Sequence, residues 1–130
     1  MGGIVYPSAL GQSRVLFHIT SANMNSTADQ TFVADYPLTS YLITFIRIVN
    51  ASTSLTTAVG GIYSAASKGG TALVANTQAY SALTGATLGL DATIAAFGKG
   101  ALTATPILSL TTPQGGAATA DLYIMGTRLT

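Results

Sequence analysis

The sequence contains no cysteine and no glutamate, and charged residues make up only 7% of it. Without cysteine there is neither a disulfide framework nor a thiolate metal site. The only carboxylates are Asp29, Asp35, Asp91 and Asp121, spread along the chain with none of the dense acidic spacing of a calcium loop. Globular proteins usually carry about a quarter charged residues. Here the polar surface must come mainly from Thr, Ser, Asn and Gln, and little repulsion keeps copies of the chain apart. Such a chain suits an assembly. The formal net charge of +1 provides no field for gathering DNA or an acidic bilayer, so neither nucleic acid nor membrane is an expected partner. Long hydrophobic runs are missing too: the longest, residues 41–49, is less than half of a membrane-spanning helix. The first residues lack the basic and apolar regions of a secretory signal, so synthesis and assembly in the cytoplasm are expected.

What the sequence does have is short apolar segments punctuated by Gly, Pro, Asn and Ser. With 130 residues, one core and one domain are expected. Residues 41–49 are the densest run of β-branched and aromatic side chains, apolar at odd and even positions alike, and predict a central strand covered on both faces. Ahead of them, residues 14–20 alternate, with Val15, Phe17 and Ile19 on one face and Arg14, His18 and Thr20 on the other. Residues 30–34 predict a second short strand, and Asp35-Tyr36-Pro37 a turn. Residues 60–66 predict a strand disturbed at its glycines, returning through Lys68-Gly69-Gly70, where both glycines supply positive φ, into residues 71–75. Residues 76–85 carry the one helical turn expected, with Asn76 or Thr77 as cap and Gly85 as stop. Strands are further predicted at 87–94, 107–111 and 121–127, with a turn at Gly98-Lys99-Gly100.

Eight or so evenly spaced strands without βαβ alternation predict an all-β fold, a single antiparallel β-sandwich, jelly-roll-like, over residues 13–130. Residues 1–12 read as an N-terminal arm. The core is expected from Val15, Phe17, Ile19, Phe32, Leu42, Ile43, Phe45, Ile46, Ile48, Ile62, Leu73, Leu108, Leu110, Leu122 and Ile124. Phe45→Ala is expected to be severe.

Candidate chemistry is sparse. His18 is the only histidine. Asp29 or Asp35 could complete a Ser-His-Asp arrangement with it, but there is no Gly-x-Ser-x-Gly turn to present a nucleophile. A structural histidine on a strand face is the better reading. The glycine pairs open no helix and precede no Lys-Ser/Thr, so they are turn chemistry rather than phosphate loops. No catalytic residue, cofactor or metal is expected, and the chain does not read as an enzyme.

Four segments carry a family resemblance: residues 17–24 (Phe17-His18-Ile19-Thr20-Ser21-Ala22-Asn23-Met24), residues 50–58 with their Ala51-Ser52-Thr53-Ser54 run, Gly60-Gly61-Ile62-Tyr63, and Ser109-Leu110-Thr111-Thr112-Pro113-Gln114-Gly115. From about residue 14 onward the chain resembles the small, Ala/Thr/Gly-rich structural proteins of tailed bacteriophages. The resemblance implies a structural virion protein, most directly a capsid decoration (cement) protein bound to the major capsid protein. Its motifs are compositional and carry over no binding residue. A homo-oligomer is expected alongside, a trimer because capsids offer threefold and quasi-threefold positions. The capsid-contact residues expected from the arm are Ile4, Val5 and Tyr6, apolar side chains without an evident core of their own. The alternative is a tail, fibre or neck component that binds a receptor or carbohydrate, with Asn23, Asn25, Asp29, Asp35 and Tyr36 as the nearest candidates.

Overall fold

A computed structural model describes residues 13–86, 88–95 and 102–130. The expected arm, including Ile4, Val5 and Tyr6, lies outside the described residues, as does the expected turn at Gly98-Lys99-Gly100. Among the described residues nine strands form two antiparallel sheets: β1 (Ser13–Asn23), β2 (Gln30–Thr31), β3 (Val33–Ala34), β4 (Tyr41–Val49), β5 (Val59–Ala65), β6 (Gly69–Val74), β7 (Leu90–Ala92), β8 (Ile107–Thr112) and β9 (Thr119–Arg128). The five-stranded sheet runs β3-β1-β9-β4-β7 and the four-stranded sheet β2-β8-β5-β6. The all-β sandwich expected from the sequence is therefore present, and the described residues contain no helix.

The core lies between the sheets. Inward positions of β9 (Ala120, Leu122, Ile124) meet those of β4 (Ile43, Ile46, Ile48) within their own sheet, and Ile62, Leu73, Leu108 and Leu110 close the layer from the other. Each of these Leu and Ile side chains buries enough apolar surface to stabilise by about 1.5–3 kcal/mol. Met24, Leu55, Tyr80 and Leu83 are buried as well, although they stand in loops.

The expected pairing of strands holds better than the expected faces. β4 is not covered on both faces: Tyr41, Ile43, Ile46 and Ile48 are buried, whereas Leu42, Thr44 and Arg47 are exposed and Phe45 is half-buried. A register shift between Ile43 and Phe45 inserts one residue and inverts the phase, so two alternating runs of opposite parity read as one continuous apolar run. Leu42 and Phe45 thereby leave the expected core, and the severe truncation belongs to Ile46 or Ile48 rather than Phe45. A second shift between Val15 and Phe17 turns Leu16 inward beside Phe17 and leaves Val15 half-buried, with Ile19 only partly buried. Centrality in the large sheet belongs to β9, between β1 and β4. The strand buried on both faces is β5, at Gly60, Gly61, Ile62 and Tyr63.

Three local expectations also change. Residues 30–34 split at buried Phe32, whose N–H donates to the Pro106 carbonyl (3.0 Å), so β2 joins one sheet and β3 the other. The β5–β6 hairpin turns through Ser67 (φ 57°) and Lys68 (φ 60°), ahead of the expected glycines; of those, only Gly70 has positive φ. Residues 76–85 form successive turns instead of a helical one, with Gln78 N–H on the Ala75 carbonyl and Leu83 N–H on the Tyr80 carbonyl. Of the strand expected at 87–94, only β7 pairs in the large sheet.

Candidate interaction face

One face of the large sheet points away from the core, and the register builds it row by row. His18, Tyr123 and Arg47 stand opposite one another across β1, β9 and β4, and Asp91 of β7 stands opposite Arg47. Val15, Met125 and Phe45 form the adjacent row. These three side chains and Tyr123 are half-buried, and Leu42 and Val33 are exposed beside them. The face is thus an apolar patch framed by polar pairs.

Those pairs have definite geometry. Arg47 binds Asp91 through two parallel bonds, Nε to Oδ1 at 2.8 Å and Nη2 to Oδ2 at 3.0 Å. The guanidinium holds the Asp91 carboxyl below its ordinary range, and the carboxylate raises Arg47 in turn. Both side chains are about half exposed, so water screens the pair. Arg47 also lies 5.0 Å over the Phe45 ring. On the other flank, His18 Nδ1 meets Asp35 Oδ1, and the imidazole stacks on Tyr123 with centroids 6.5 Å apart.

The edges of the sandwich offer little room for strand addition. β2, β3 and β7, which close three of the four sheet edges, are two or three residues long. The fourth edge, β6, is partly covered by the Val74–Ile94 bridge and by Ala95 N–H donating to the Leu73 carbonyl (2.8 Å).

The structure sorts the candidate polar residues into separate places. His18 and Asp35 come together, as two members of a triad would. Among the described residues no hydroxyl bonds the other ring nitrogen, and Asp29 is elsewhere, accepting from Ser67 N–H at 2.8 Å. Asn23 accepts from Asn25 N–H (2.9 Å), and Asn25 from Gly115 N–H (2.7 Å), so both hold loops in shape. Asp121 accepts from Ser21 N–H and Asn50 Nδ2, each at 2.8 Å, fastening two residues with left-handed φ. Tyr36 lies at one end of the sandwich beneath two arginines, Arg14 at 4.3 Å and Arg128 at 5.9 Å from its ring centroid. That grouping had no signal in the sequence beyond the parity of β9, where the inward series Ala120, Leu122, Ile124, Gly126 ends in Arg128.

A further cluster was not foreseen. Lys68 Nζ donates to the hydroxyl of fully buried Ser109 at 2.9 Å. The Ser67 N–H, the Ser109 hydroxyl and the Lys68 charge together lower the Asp29 carboxyl. A nucleophile must be reachable; Ser109 is covered, and the cluster pins the β5–β6 hairpin to the loop before β2. No group of three or more His, Cys, Asp or Glu among the described residues is placed to hold a metal.

No family model, curated protein or solved structure matches this chain.

Proposed function

We propose that the protein is a structural virion component of a tailed bacteriophage, a decoration (cement) protein that binds and stabilises the head through the major capsid protein. The observation that carries this reading is the outward face of the large sheet, an apolar patch of Val15, Met125, Phe45 and Tyr123 on a nearly charge-free sandwich three of whose four edges are short. Depletion of charge with half-buried aromatics and Met on an outward face is the composition of the buried centre of a protein–protein contact. The strand orders support the same reading: with β3 set aside they run β1-β9-β4-β7 and β2-β8-β5-β6. We read this as the order of an eight-stranded jelly roll, an architecture common to viral capsid and lectin domains. Fold alone assigns no function, so the weight rests on the face and on the sequence resemblance.

In this reading the protein works as a homo-oligomer, a trimer at threefold positions, in the virion, and the arm residues Ile4, Val5 and Tyr6 add apolar contacts to the shell. A ligand that binds folded capsid and not its unfolded chains raises the shell's stability by mass action. Particles with and without the protein are heated, and genome release is followed with a DNA-binding dye. Release at higher temperature in decorated particles is expected. Equal release temperatures at saturating occupancy would defeat the cement role.

The Tyr123–His18 stack beside the Arg47–Asp91 pair favours one other reading, a tail or fibre component binding carbohydrate. A ring face with planar polar groups alongside suits a sugar, and a glycan array distinguishes the two roles.

A further inference from the structure

We infer an oxyanion site at the end of the sandwich, built by Arg14, Tyr36 and Arg128, that takes a carboxylate presented by a partner protein. The argument starts from strand parity. Arg14 stands opposite inward-facing Gly126, and Arg128 stands opposite buried Tyr41. Both arginines therefore occupy inward positions where the sheet runs out of core, and both lean onto one ring, that of Tyr36. Among the described residues neither guanidinium has a carboxylate partner; the ion pairs are His18–Asp35 and Arg47–Asp91.

Two polar atoms here are buried and without any hydrogen-bond partner, Tyr36 Oη and Arg128 Nε. Buried polar groups are almost always satisfied, and a charged donor left empty is the costlier exception. Among the described residues these two exceptions fall in one cluster, and Arg128 also lines an open cleft of about 260 Å³ with Pro37, Leu38, Thr39 and Thr130, which points to a missing acceptor. A guanidinium binds best along an edge that offers two parallel N–H groups, a geometry matched by the two oxygens of a carboxylate. The Tyr36 ring, onto which both guanidiniums lean, holds the two arginines together beside the cleft. Residues 1–12 contain no Asp or Glu, so their side chains offer no carboxylate to the site. The source named here, an acidic side chain of the partner, rests on the proposed assembly role; the site itself does not.

The test uses the intact free protein, so its failure leaves the heating experiment on particles untouched. Acetate is titrated at constant ionic strength while the Nε–Hε resonances of the arginines are followed by NMR. Saturable shifts are expected at Arg14 and Arg128, with Arg47, already paired to Asp91, as the unmoved control. Tyr36→Leu, which removes the ring beneath both guanidiniums, is expected to weaken binding several-fold, and Tyr36→Phe, which keeps the ring, to leave it unchanged. Arg128→Gln is expected to abolish saturation while the core amide spectrum is kept. Linear shifts equal at all three arginines, or saturation unchanged in Arg128→Gln, would overturn the site. Phosphate serves as the second arm: saturation by phosphate and not by acetate would overturn the carboxylate assignment.

Discussion

Gly126 occupies a point in β9 where the backbone of β4 comes too close for any side chain. A Cβ at this position would fall on the Leu42 carbonyl oxygen and lie 2.9 Å from Leu16 Cδ1. The first obstacle is backbone, which cannot swing aside as a side chain does. Gly126→Ala is expected to destabilise by about 3 kcal/mol or more, measured by denaturant unfolding; a loss within about 0.5 kcal/mol would contradict the close approach. Two tyrosines set the response to alkali. Burial pushes the Tyr41 hydroxyl, which donates to the Ala104 carbonyl, up to about 12 from an ordinary 10. Burial raises Tyr80 further, its hydroxyl donating to the Gly60 carbonyl at 3.0 Å. With pKa higher in the folded state, folded protein holds its phenolic protons longer than unfolded chain does. Stability is therefore full below pH 10 and falls as pH rises through 12. Tyr41→Phe should flatten that fall in alkaline unfolding curves; an unchanged pH slope would contradict it.

At the scale of elements, strand existence was legible and strand phase was not. Period-two alternation needs an unbroken ladder, and the bulges at Leu16 and Thr44 each shift it by one residue, sending Leu16 into the core and Phe45 out of it. The helical turn expected at 76–85 rested on caps, but Tyr80 and Leu83 are buried in the core while Tyr80 N–H donates to the Ala58 carbonyl (3.1 Å). Tertiary contacts outweighed a weak local preference. The oxyanion cluster was still less legible, because Arg14, Tyr36 and Arg128 meet only after β1, the turn before β4 and the end of β9 converge. Among the elements, β7 depends most on a side chain. Its three residues pair with β4, and the Arg47–Asp91 bridge reinforces that pairing. Because the bridge is half exposed, Asp91→Asn is expected to cost less than about 1 kcal/mol globally. Amide exchange in β7 should nonetheless quicken while β9 is unaffected. Uniform acceleration across both strands would mean that β7 has no independent opening.

For the whole molecule, the few charges decide how an attached copy responds to salt. Of the five cations Lys99 lies outside the described residues; of the other four, Arg47 is paired with Asp91 and Lys68 is turned back onto Ser109, leaving Arg14 and Arg128 to act between molecules. The remainder of the proposed contact is the apolar patch of the large sheet, and apolar burial is not weakened by screening. Salt at about 1 M shortens the reach of an exposed charge to roughly 3 Å, so only the arginine contribution should fade. Attachment to capsids is expected to weaken by less than about tenfold between 0.1 and 1 M NaCl, the amount a single charge-assisted contact accounts for. Arg14→Gln combined with Arg128→Gln should weaken attachment at low salt and reduce the salt dependence. Co-sedimentation with undecorated heads across the salt series measures both effects. A loss of a hundredfold or more in the unaltered protein would mean an ion-paired interface, which the four cations of the described residues are too few and too occupied to build, and would move the contact away from the apolar face.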